Sequence, residues 1–215
     1  MLVHLLIPAE ISKLESAAKG RVDALWLEGS PSAAAEWLNM ARRRPLAPKV
    51  YIRLGRFEAA IEEDLNELMP AAPDGIVLPL RNSAEVEHLS VKLAVREAEL
   101  GIDDGATQII GLIASPAAIF HLASFAISSP RLVALGFATD DFATALGASN
   151  LESSSIAVAR DLTLLAAKAA GVAAFLIADQ AENLAATYRA AKHDGFDGLV
   201  TSDIAAVAAL RATLD

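Results

Sequence analysis

Apolar residues in this chain fall into short unbroken runs, and between the runs they recur at helical spacing. The runs are VHLLIP (3–8), DALWLEG (23–29), KVYIRLG (49–55), GIVLPL (75–80), QIIGLIAS (108–115), LVALGFA (132–138), VAAFLIA (172–178) and GLVTS (198–202). Each has strand length and lacks strict in-and-out alternation, the pattern of strands covered on both faces. Helical patterns follow them: AEISKLESAAKG, SAAAEWLNMARRR, FEAAIEEDLNELM, SAEVEHLSVKLAVREAELG, PAAIFHLASFAIS, then DDFATALG with RDLTLLAAKAAG, NLAATYRAAKHDG and IAAVAALRATL. Ser32 and Ser83 are the expected N-caps of the second and fourth helices, and Gly101 the expected stop of the fourth.

Eight strand-type runs in alternation with helices predict an α/β fold, a (β/α)8 TIM barrel. The rival is an open doubly wound sheet, which usually carries a glycine-rich phosphate loop after its first strand. LLIPAEI stands there instead, and neither GxGxxG nor GxxxxGK[ST] occurs. No linker or shift in composition divides the chain, so residues 1–215 are expected to form one barrel domain.

Composition narrows the chemistry. The chain is 54% hydrophobic and 21% charged, enough apolar material for a large core. Its net charge of −9 leaves no cationic excess to neutralise phosphates, so no nucleic-acid partner is expected. Cysteine is absent, which removes disulfides, thiolate ligands and cysteine nucleophiles together. The four histidines, His4, His88, His121 and His193, include no pair at helical i, i+4 spacing, which disfavours a zinc hydrolase. No apolar stretch reaches membrane-spanning length, and the N-terminus lacks a basic region and a small-residue cleavage pattern. The expectation is a cytoplasmic protein with no membrane partner.

In a barrel the active site lies where strands end and βα loops begin. Those positions hold Glu10, Glu28, Arg53 and Arg56, Arg81, Ser115, Asp140 and Asp141, Asp179, and Ser202 and Asp203 in strand order. The arginines suit a carboxylate, which guanidinium groups bind bidentately. Glu28, Asp140 and Asp141 are candidate bases or cation ligands. Each also has a plainer reading: the two aspartates as N-cap or first-turn acids of a helix, and Glu28 with Arg53 as an ion pair across adjacent strands. Trp26 and Trp37 read as core residues.

Seven stretches in order resemble the citrate lyase β-subunit group of the HpcH/HpaI aldolase superfamily. DALWLEGS is similar to that family's DAVILDLED, KVYIRLG to its VRIN strand, and DGIVLPLRNSAEVEHL to its LPK stretch. QIIGLIASPAAI is similar to PLIETPxGI, LVALGFATDDFATALGA to the AL-x-FGAEDLAADLG stretch, and AVARDLTLLAAKAAGVAAF to YARSRLVLAARAAGVPAID. The last, NLAATYRAAKHDGFDGLVTSDIAAV, resembles the segment that ends GFDGKLAIHPxQV. The resemblance spans nearly the whole chain and implies a (β/α)8 barrel.

The resemblance further implies a carbon–carbon lyase or aldolase acting on a small keto acid or an acyl-CoA thioester, with Mg²⁺ polarising the keto-acid oxygens. Arg53 matches the substrate arginine and is the implied catalytic residue. Glu28 and Arg81 join it as implied substrate-binding residues, Asp141 and Glu28 are the implied metal ligands, and Arg160 matches the arginine of ARSR. Small carboxylates or acyl-CoA are the implied partners, and a homo-oligomer, a trimer or a multiple of one, the implied assembly. A short or missing lid over the barrel mouth is also expected. Several motif positions differ. Ala114 stands where the family has the metal-binding glutamate of IET, Ser30 and Pro31 where it has an acidic pair, Leu80 at the LPK lysine, and Thr201–Ser202–Asp203 at HPxQ. These changes keep a second expectation open: a catalytically inactive member that binds a small molecule or serves as a scaffold.

Overall fold

Each of the eight apolar runs forms a strand in the computed structural model, which describes residues 1–8, 22–42, 48–55, 61–178 and 183–214. The strands are β1 (Leu2–Pro8), β2 (Ala24–Glu28), β3 (Lys49–Arg53), β4 (Gly75–Pro79), β5 (Gln108–Ile113), β6 (Leu132–Ala138), β7 (Ala173–Ile177) and β8 (Gly198–Thr201). They pair in parallel in sequence order, and β8 returns to β1 to close a single-domain (β/α)8 barrel. The described helices are α1 (Pro31–Ala41), α2 (Ile61–Leu68), α3 (Ser83–Leu100), α4 (Pro116–Ile119), α5 (Thr139–Leu146), α6 (Ser154–Ala170), α7 (Leu184–Asp194) and α8 (Ile204–Leu214). The helical pattern after β1, together with Glu10, Arg56, Asp179 and Gln180, lies outside the described residues.

Three local expectations are corrected. Ser30, not Ser32, caps α1: its extended backbone lets Oγ accept the Ala33 N–H at 3.3 Å. Pro31 then takes the first helical position, where a missing N–H costs nothing. Asn82, not Ser83, caps α3 by accepting the Glu85 N–H at 3.3 Å. PAAIFHLASFAIS is not one helix. It breaks at His121 into α4 and a 3₁₀ segment, Leu122–Ile127. Leu122 and Phe125 are its buried side chains, and their three-residue spacing lines them up on one side of a 3₁₀ turn.

Strand pleating divides the core into two. Leu5, Leu27, Ile52, Leu78 and Phe137 face outward and pack under the helices, while Leu6, Trp26, Tyr51, Val77 and Phe175 fill the barrel. Trp26 and Trp37 are both buried, one in each cluster. Filling the interior with aromatics demands small neighbours. A Cβ added at Gly198 would stand 1.8 Å from Phe175, so only glycine fits beside that ring.

The floor of the barrel is tied by a repeated device. Asp23, Asp74 and Asp197 each precede an even-numbered strand, and each carboxylate accepts an N–H of the strand before it: Val3 at 2.7 Å, Val50 at 2.8 Å and Ala174 at 2.8 Å. At β5 and β6 an ion pair replaces the aspartate. Glu97, 0% exposed, accepts the N–H groups of Gly105 and Thr107 and a two-pronged contact from Arg131 at 2.9 and 2.6 Å. Burial opposes ionisation of Glu97, but Arg131 and the two N–H groups outweigh it and hold the carboxyl below its ordinary range. Removing one partner strands a buried charge, so Arg131→Ala is expected to lower stability by about 3–5 kcal/mol in urea unfolding. Arg160→Ala, which loses only partly exposed contacts to Asp161 and Asp194, is expected to cost under about 1 kcal/mol.

His4 is the one buried histidine among the described residues. Its Nδ1 accepts the Trp26 Nε1–H at 3.0 Å, and its ring lies 4.6 Å from that of Phe175. Desolvation pushes its pKa down to about 4, a little offset by Asp23. The unfolded chain, with a histidine near 6.5, binds a proton in a range where the folded chain does not. Stability is therefore expected to fall as pH drops from about 6.5 to about 4, and His4→Leu to flatten that part of the profile in urea melts at stepped pH.

Candidate functional site at the barrel mouth

The pleat that fills the barrel also selects what stands at its C-terminal mouth. Two residues beyond Trp26 on β2 is Glu28, and two beyond Tyr51 on β3 is Arg53; the register sets the two side by side. Ala114 follows β5 and packs toward the interior cluster. Asp141 comes from the first turn of α5, across the mouth. Glu28, Arg53, Arg81, Ala114 and Asp141 line a single cleft of about 820 Å³.

Arg53 is the centre of this cleft. Its Nη2 donates to Asp141 Oδ2 at 2.7 Å, and its Nη1 lies 3.5 Å from Glu28 Oε1. The arginine side chain is 14% exposed while Glu28 and Asp141 are 57% and 46% exposed. The guanidinium is thus held from two sides by acids that themselves face solvent. Asp140 and Asp141 are both first-turn acids of α5, whose N-cap is Ala138 with no side-chain cap bond. Acids there are favoured by the helix dipole. Burial, and then the neighbouring Asp141, push the Asp140 carboxyl above its ordinary pKa. Asp140 is not among the lining residues, whereas Asp141 is.

Arg81 reaches the same cleft by another route. Leu80, at the LPK-like position, is buried in the outer cluster while also lining the cleft, and the exposed rim beside it is taken by Arg81. Glu85 accepts the Arg81 backbone N–H at 2.7 Å and its Nε at 2.6 Å. Sequence reasoning passed over Glu85, although its signal was there: an acid four residues after an arginine and three after an asparagine cap. Ser115, one of the strand-end positions read from the sequence, also lines the cleft, as does Thr144, which no pattern in the sequence singles out.

The described residues of the mouth do not suit a resident divalent ion. Among the described residues no three of His, Cys, Asp or Glu group as a cation site. Glu28 and Asp141, the implied ligands, already share Arg53, and Ala114 brings a methyl group where a further oxygen is needed. No helix among the described residues is long and apolar enough to cross a membrane.

Known structures share this barrel throughout. A HpcH/HpaI aldolase/citrate lyase family protein from Burkholderia cenocepacia J2315 is 19% identical, with a TM-score of 0.80 over 99% of this chain and 91% of that one. A citrate lyase from Burkholderia xenovorans LB400 is 18% identical, with a TM-score of 0.83 over 100% and 77%. The malate synthase of Haloferax volcanii, in a magnesium/glyoxylate complex, is 15% identical, with a TM-score of 0.78 over 99% and 74%. At such identities these likenesses establish the fold. No curated protein matches the chain. The family model for HpcH/HpaI aldolase/citrate lyase matches residues 24–203, from the start of β2 to the loop beyond β8, and so takes in every strand that builds the cleft. The chain belongs to the HpcH/HpaI aldolase/citrate lyase family.

Proposed function

We propose that the chain is a carbon–carbon lyase of the aldolase type, acting on a small keto acid or an acyl-CoA thioester. The observation that carries this reading is Arg53: an inward guanidinium at the mouth, in a cleft of about 820 Å³, with carboxylates on both sides. In cleavage, a carboxylate of the mouth receives the hydroxyl proton of the substrate. The carbon–carbon bond breaks, its electron pair moves onto the carbonyl as an enolate, and the enolate carbon is then protonated. Arg53 is the group suited to hold the substrate carboxylate and to offset charge on the enolate oxygen. Asp141 and Glu28 are the carboxylates within reach of it.

A second reading, a small-molecule-binding member without lyase activity, is favoured by Ala114, whose methyl group faces the cleft where the family's motif has a glutamate. Turnover separates the two. Assayed on a panel of hydroxylated 2-oxo acids and 3-hydroxyacyl-CoA thioesters, the first reading expects cleavage of at least one compound. It also expects Arg53→Ala to lower kcat/KM by about 10²- to 10³-fold. Binding without cleavage across the panel supports the second reading instead.

Self-association belongs to the same proposal. Val91 and Val95 on α3, and Val158, Leu162 and Leu165 on α6, are exposed apolar side chains flanking the 3₁₀ segment. In a chain with net charge −9, these apolar side chains, set among the exposed acids Glu87, Glu99 and Asp161, are the surface proposed to meet a second copy. Light scattering is expected to give a trimer or a multiple of the 22.5 kDa chain, and Val158→Glu with Leu165→Glu to lower the mass with the circular dichroism unchanged. An unaltered mass would remove α6 from the interface.

A further inference from the structure

We infer that Arg53 is itself the cation of this site: its guanidinium holds the place between Glu28 and Asp141 that a divalent ion would need, and a 2-oxo acid binds there without one. The ligand class rests on the lyase reading; the statement about the cation does not. Three features of the mouth support it. Arg53 is nearly buried and anchored on both sides, by Asp141 at 2.7 Å and Glu28 at 3.5 Å. Among the described residues, every carboxylate lining the cleft is matched to a guanidinium, since Glu85 holds Arg81. The inward position beyond β5 is Ala114, which offers no oxygen.

A consequence follows for Asp141 that is opposite in sign to a metal-ligand role. Among the described residues, the lining acids Glu28, Glu85 and Asp141 outnumber Arg53 and Arg81, so this wall of the cleft is not preset for an anion. An incoming carboxylate competes with Asp141 for the Nη2 of Arg53. Asp141 is then a counter-ion that the ligand displaces, and neutralising it frees the guanidinium. Were Asp141 a metal ligand, neutralising it would abolish binding, because the ion that polarises the keto acid would be lost. Arg81, 68% exposed and engaged by Glu85 through Nε and Nη2, stands on the same cleft wall as a further donor.

Isothermal titration tests this on the full chain. Pyruvate and oxaloacetate are titrated with EDTA and again with Mg²⁺, into wild type and Asp141→Asn; Mg²⁺ alone is titrated into wild type and Arg53→Gln. The expected results are keto-acid affinities equal within about twofold in EDTA and Mg²⁺, and affinity about three- to tenfold tighter in Asp141→Asn. Mg²⁺ alone is expected to give no saturable heat with wild type and to bind measurably only once Arg53 is replaced. Saturable Mg²⁺ binding to wild type, a tenfold loss of keto-acid affinity in EDTA, or lost binding in Asp141→Asn would overturn the inference. If no keto acid binds under either condition, the ligand class fails, and the Mg²⁺ titration of wild type still decides the cation.

Discussion

Closure of the sheet, with β8 hydrogen-bonded to β1, is the constraint from which the rest of the molecule follows. Once the ring is closed, each strand has one face toward the helices and one toward the axis, and the two-residue period of the pleat leaves no other choice. The interior then has a fixed volume. Trp26, Tyr51 and Phe175 fill it, and Gly198 makes room for Phe175. The same parity carries on to the mouth: whatever stands two residues beyond an inward aromatic faces the cleft. Glu28 and Arg53 are side by side because Trp26 and Tyr51 are paired beneath them.

The barrel's two ends use charge differently. At the floor, aspartates before β2, β4 and β8 satisfy the second amides of the preceding strands, and the Glu97–Arg131 pair serves the β5–β6 corner. These acids are consumed by structure. At the mouth, Arg53 is held between acids that keep about half their surface open, and the contact is one a ligand can exchange. An ion pair with exposed partners contributes little to stability, so the mouth can be rearranged at small cost while the floor cannot.

Family membership and the chemistry of the site are separate matters here. The family model spans all the strands that form the cleft, yet the mouth of this chain has an alanine at position 114 and a guanidinium between the acids that remain. Barrels of this kind accept such changes readily, because the residues beyond the strand ends carry chemistry while the interior layers carry stability. A loss at the mouth leaves the packing of Trp26, Tyr51 and Phe175 untouched.

The eight apolar runs and the helices between them were legible in the sequence, since covering a parallel strand on both faces demands an unbroken apolar run. The gathering of Glu28, Arg53, Arg81 and Asp141 was legible too, as strand-end positions of a barrel, and so was the Glu28–Arg53 pair across adjacent strands; the contacts of Arg53 with Asp141 and of Arg81 with Glu85 were not. The helix starts were misplaced by one or two residues because serine beside proline or asparagine offers several caps, and only the loop geometry picks one. The break at His121 had no apolar signature. Sequence alone determined the closed fold and the residue types available at its mouth, because both follow from short-range period and order along the chain. That Asp141 also meets Arg53 was decided only in three dimensions: the two lie 88 residues apart, and their 2.7 Å contact depends on strand stagger, helix entry and rotamer, none of which leaves a local pattern.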